Sequence, residues 1–186
     1  MKQVNLSPKI KSILNKIESY LELFNTQHDA NVKFVIKGSV ANNYFSENSR
    51  PPVDVDVFFL NNYDENNIEF LKFLAEKEIR MEHSDVNLNV FLINGVKFEI
   101  IMLEHFTSDE FFHKTTKYKW LLFLKPNFSL IQKLFSISYI DSNFFMHNKN
   151  AKIKSFCFDV NEFLKKNDIL TVFLMKLKEN SLNSHY

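Results

Sequence analysis

Glycine occurs only twice in these 186 residues and proline four times. So little of either predicts long regular elements, and no internal repeat or low-complexity segment is evident. Cysteine occurs once, as Cys157, which rules out an internal disulfide framework and a cysteine-rich zinc site. No apolar run reaches the roughly 18 residues that a membrane span needs. The opening MKQVNLSPKIKS has no apolar core of the signal-peptide kind, so the cytoplasm is the expected compartment. A charge excess is missing too. The net charge of +1 gives no overall attraction to nucleic acid or membrane, although a local basic patch would be compatible with it. The six histidines show no metal-ligand spacing and read as surface or loop residues. What the chain has in quantity is phenylalanine, 21 of them, and the core is expected to be aromatic.

Where glycine is this rare, its position is informative. Gly38 lies in FVIKGSVANNYFSENSRPPVDVDVFF, between an apolar strand (Phe34 to Ile36) and a short helix. That placement suits a backbone that turns sharply or lets another group approach closely. A Gly38-Ser39 step opening a helix offers free N–H groups and a hydroxyl at the positive end of the helix dipole, a seat for phosphate. An ordinary helix cap uses the same pair. A turn from Ser46 to Pro52 leads into a second strand carrying Asp54 and Asp56. Their spacing puts both carboxylates on one face, with Val53, Val55 and Val57 pointing into a core. Side-by-side carboxylates repel, so a purely structural role gives no reason for them. Two oxygen ligands aimed at one point suit Mg²⁺, which takes one or two carboxylates plus phosphate oxygens and water.

In chain order, Ser7-Pro8 opens an amphipathic helix to about Phe24, with Thr26 to Val32 as a polar loop. Ile68 to Ile79 has helical spacing through Ile68, Leu71, Phe73 and Leu74. The second glycine stands in NVFLINGVKFEIIML, where Asn94-Gly95 between β-rich runs signals a two-residue hairpin turn. That turn pairs Ile93 with Val96, Leu92 with Lys97, Phe91 with Phe98 and Val90 with Glu99. Glu99 is then an acid in an apolar strand. A buried carboxylate needs a partner, either a metal shared with Asp54 and Asp56 or a lysine such as Lys97. Trp120 to Leu124 is apolar and Pro126 ends it; Phe128 to Tyr139, Phe156 to Lys165 and Asp168 to Lys178 read as helices, with Asp141 to Asn150 as a polar loop. The change from strands to helices between residues 104 and 127 predicts a core of residues 1–106 and a helical half of residues 107–186. Trp120 is the one aromatic residue to compare with a nucleobase site.

A Gly-Ser strand-to-helix step, two acids one residue apart and a third acid on a later strand resemble the nucleotidyltransferase superfamily, the polymerase-β-like fold. The match is Gly38-Ser39, Asp54-x-Asp56 and Glu99. Lys37-Gly38-Ser39, with Arg50 four residues before Asp54, looks like the AbiEii toxin-type branch, a type IV toxin–antitoxin group. Leu130-x-x-Lys133 resembles a helix motif of that family, and Lys154 with Asp159 is a looser match to its last motif. The resemblance implies an α+β fold, with a small mixed twisted sheet, flanking helices and a helical C-terminal half. It implies Asp54, Asp56 and Glu99 as catalytic residues and ligands of two Mg²⁺ ions about 3.5–4 Å apart, with Mn²⁺ as a substitute. Gly38, Ser39, Lys37, Arg50 and Lys133 are implied as nucleotide-binding residues, though Lys133 alone also fits the polar side of a helix. The implied reaction moves a nucleoside monophosphate from an NTP to RNA, such as tRNA, or to a protein hydroxyl. A cognate antitoxin is the implied partner, and no membrane is. The other reading is a catalytically weak or inactive protein of this fold that binds nucleotide, RNA or a protein.

Overall fold

The computed structural model describes residues 6–45, 51–61, 64–77, 80–84, 88–101 and 111–129, together with Cys157. The first helix, α1, spans Pro8–His28. Ser7 caps it by accepting a hydrogen bond from the Ile10 N–H (3.3 Å), and Pro8 opens its first turn. Ile10, Ile13, Leu14, Ile17, Leu21 and Phe24 form its buried face. The helix passes the expected end at Phe24 because Asn25, although polar, belongs to that face. Its amide donates to the Val32 carbonyl (2.9 Å) and accepts from the Val32 N–H (2.8 Å). Asp29, at φ 48°, then closes the helix in the left-handed conformation.

The chain continues as β1 (Phe34–Lys37), α2 (Gly38–Phe45), β2 (Val55–Phe59), α3 (Glu65–Glu76), β3 (Arg80–Ser84), β4 (Leu88–Ile93), β5 (Val96–Ile101), β6 (Phe112–His113) and β7 (Leu121–Leu124). Among the described residues the strands make one mixed seven-stranded sheet in the order β3-β4-β5-β2-β1-β7-β6. β4 and β5 form the hairpin that Asn94-Gly95 predicts. Every expected pair from Ile93↔Val96 to Val90↔Glu99 is present, and both turn residues have positive φ (52° and 71°). β2 runs parallel to β5 and antiparallel to β1, and β1 runs parallel to β7.

The sheet has unlike faces. One packs against the three helices in an aromatic core with Phe24, Phe34, Phe59, Phe70, Phe91, Phe98 and Phe123. Phe70 of α3 meets Phe24 and Phe34 edge-on, with ring centroids 5.2 and 5.6 Å apart. The α3 helix begins earlier than its apolar spacing predicts, because Asp64 caps it through the Asn66 N–H (2.9 Å). Its buried stripe is Asn67, Phe70 and Leu74, and Ile68, expected inside, is 55% exposed. The other face buries Val35, Phe58, Phe112, Leu122 and Leu124 at one end.

One further expectation changes. Val53 does not share the inward direction of Val55 and Val57: it is 70% exposed, because β2 begins only at Val55. β3 was not legible in the sequence, since all five of its residues are exposed and carry no apolar alternation. Leu121–Leu124 lies beside β1 within the compact unit that holds the sheet, residues 1–129. Apart from Cys157, which is helical, the expected C-terminal helices from residue 130 on lie outside the described residues. Among the described residues no helix is long and apolar enough to cross a membrane.

Candidate active site

β1 ends at Lys37, and the backbone swings at Gly38 (φ 64°) directly into α2. A side chain at that bend would be strained by the positive φ and would have to displace its neighbour. A Cβ built on Gly38 would collide with Oδ2 of Asp56, so the glycine lets the backbone lie against the carboxylate. Ser39 follows in the first turn of α2. It is buried, and its carbonyl accepts a hydrogen bond from the Asn43 amide (3.2 Å). Tyr44, at the other end of α2, stacks on Phe123 with centroids 4.1 Å apart and seats the helix on the sheet. Burial, and then the neighbouring Tyr118, push the Tyr44 hydroxyl above its ordinary pKa.

The register assigns the acids. Asp56 of β2 is the direct partner of Glu99 in the parallel β5, so the two leave the same face one strand spacing, about 4.8 Å, apart. That face is opposite the one packed on α1, α2 and α3. On the other side Asp56 pairs with Lys37 of β1. The order across three strands is therefore Lys37, Asp56, Glu99. Glu99 is half-buried, not sunk in the apolar interior as its neighbours suggest. Asp54 precedes the strand in a bend and is half-buried.

Among the described residues no group of three or more His, Cys, Asp or Glu side chains is arranged to hold a metal ion. The arrangement present is a pair, Asp56 and Glu99, with Asp54 at the start of β2. Two hard oxygen donors beside a glycine bend fit Mg²⁺, whose remaining ligands come from phosphate and water.

Arg50, Lys133, Lys154 and Asp159 lie outside the described residues. Trp120 is not near the acids. It precedes β7 at the end of β1 remote from Gly38, is 9% exposed, and has the Lys119 and Lys33 ammonium groups 4.4 and 5.8 Å from its ring. His83, read from sequence as a surface or loop residue, is exposed on β3 and belongs to the same row as the acids: it pairs with Val90, which pairs with Glu99. Only strand registration could have found it.

No protein-family model and no curated protein sequence matches the chain. Among solved structures, the crystal structure of ANT(2'')-Ia in complex with adenylyl-2''-tobramycin is similar, with a TM-score of 0.54 at 11% identity over 92% of this chain and 99% of that one. The solution structure of the antibiotic-resistance factor ANT(2'')-Ia gives a TM-score of 0.50 at 8% identity, over 93% and 98% of the two chains. The likeness is one of fold, and the fold is the α+β nucleotidyltransferase fold expected from Gly38-Ser39 and the acids.

Proposed function

We propose that this chain is a divalent-cation-dependent nucleotidyltransferase. An acceptor hydroxyl, on RNA (including tRNA) or on a protein, would attack the α-phosphate of a nucleoside triphosphate, gaining a nucleoside monophosphate as the bond to the β-phosphate breaks and pyrophosphate and the hydroxyl proton are released. The observation that carries the reading is the backbone of Gly38 lying against the Asp56 carboxylate, with Glu99 in register beside it. Asp56 and Glu99 would hold Mg²⁺ or Mn²⁺, with Asp54 approaching from the start of β2. When bound, the cation neutralises phosphate charge and makes an acceptor hydroxyl easier to deprotonate. The chain's own groups orient the substrate. The first N–H groups of α2 and the Ser39 hydroxyl would meet anionic phosphate oxygen at the positive end of the helix dipole. Lys37 adds a positive charge at the end of β1. The rate gain then comes from positioning and from charge stabilisation set in place before reaction. The AbiEii-type resemblance adds a toxin role and a cognate antitoxin to this proposal.

A second reading is favoured by Asp54 lying outside β2: a protein of this fold that binds nucleotide without turnover. Purified protein incubated with each α-labelled NTP, Mg²⁺ and total cellular RNA separates the two. Label transferred by the wild type and lost in Asp56→Asn supports transfer. Mg²⁺-dependent NTP binding with no label in RNA, protein or small-molecule fractions supports the binding module.

A further inference from the structure

Two carboxylates in direct register on adjacent strands repel, and a sheet with only that pair would lose stability whenever no cation sits between them. The neighbouring strand supplies a positive charge at the same level. Lys37 is the register partner of Asp56, which is the partner of Glu99, so one lysine and two acids stand in a single row across β1, β2 and β5. Each of the three is engaged in an interaction. Lys37 is held at this level because it is the last residue of β1, immediately before the Gly38 bend.

We propose that Lys37 is the resident counter-ion of the acid pair, a positioning residue that keeps Asp56 and Glu99 side by side while no divalent cation is bound. The cation arm of this inference rests on the function proposed above; the charge row itself does not. Lysine suits the task better than arginine's rigid fork, since a compact ammonium on a flexible stem can serve either carboxylate and move aside. A positive charge in the same row also weakens the pair's intrinsic hold on a cation, so removing it should tighten metal binding while destabilising the empty site.

The experiment compares the full chain with Lys37→Met, Lys37→Arg and Lys37→Met/Asp56→Asn, by thermal unfolding in EDTA and by calorimetric titration with Mn²⁺. Lys37→Met should melt about 2–4 °C below wild type in EDTA. It should bind Mn²⁺ about three- to tenfold more tightly, as expected for one charge removed at short range. Lys37→Arg should melt like wild type, and the double variant should regain the lost melting temperature, because Glu99 no longer faces a like charge. Unchanged melting in EDTA with unchanged Mn²⁺ affinity overturns the inference, and assigns Lys37 to substrate phosphate alone if the KM for NTP rises. A double variant that stays as unstable as Lys37→Met overturns it too, and decides the matter if Lys37→Met fails to fold. A wild type that labels no acceptor sinks nucleotidyl transfer but leaves these melting comparisons fully informative.

Discussion

The backbone of Gly38 lies so close to the carboxylate of Asp56 that a Cβ on the glycine would push the acid aside. The collision that a Cβ would suffer is with Oδ2 itself, so the bend after β1 and the acid in β2 are fitted to one another. The glycine matters here both for its positive φ and for the approach it permits.

Gly38→Ala therefore combines a strained backbone with a displaced carboxylate. We expect a loss of about 1–3 kcal/mol in unfolding free energy, as for a non-glycine residue held at positive φ. NTP binding should fall with it. Urea unfolding and an NTP titration check both. Wild-type stability with wild-type binding would show that Asp56 yields at no cost.

The in-register acids should outweigh the one outside the strand. Asp56→Asn and Glu99→Gln should each abolish Mg²⁺-dependent binding and transfer. Asp54→Asn should leave measurable cation binding, since two carboxylates suffice for Mg²⁺. Mn²⁺ titration of the three variants gives the order, and loss of binding only in Asp54→Asn would reverse the assignment.

Glu18 of α1 ties the helix to the start of β7. Its carboxylate accepts the Lys119 N–H (2.5 Å) and the Trp120 N–H (3.1 Å). Burial raises its pKa above the ordinary 4.5 despite these donors, which lower it. A raised folded-state pKa means that this group's contribution is complete below the unfolded value and declines as pH rises through the folded value. Glu18→Gln, which keeps an acceptor without the charge, should gain on wild type more at pH 7 than at pH 4. Glu18→Ala should lose about 1–2 kcal/mol at either pH through the unsatisfied N–H groups. Melting curves at the two pH values test this, and a Gln variant whose advantage shrinks toward neutral pH contradicts it.

Along α3 the apolar residues are not equivalent. Phe70→Ala should cost about 3–5 kcal/mol, because it empties a fully buried site between Phe24 and Phe34. Ile68→Ala, at an exposed position, should stay within about 0.5 kcal/mol of wild type. Equal losses would mean that the helix rotates about its axis.

Much of this was legible in the chain itself. Asn94-Gly95 set the hairpin register because a two-residue turn with positive φ leaves one pairing, and Ser7-Pro8 marked the start of α1 for equally local reasons. Asn25 misled because a buried amide clasping Val32 looks like the beginning of a loop. Ile68 misled because apolar spacing alone does not say which side of α3 meets the sheet. β3 escaped because edge strands are kept polar, a safeguard against pairing with other chains.

The sequence alone determined the parts whose physics is local: the glycine bend, the β4–β5 turn, the helix cap and the candidate acids. Tertiary structure decided which of those acids stand together, since pairing β2 parallel to β5 aligns Asp56 with Glu99 and the antiparallel β1 brings Lys37 level with them. Contacts between strands remote in sequence are set by the packing of whole faces, and a one-residue shift in either ladder would turn a carboxylate to the opposite side.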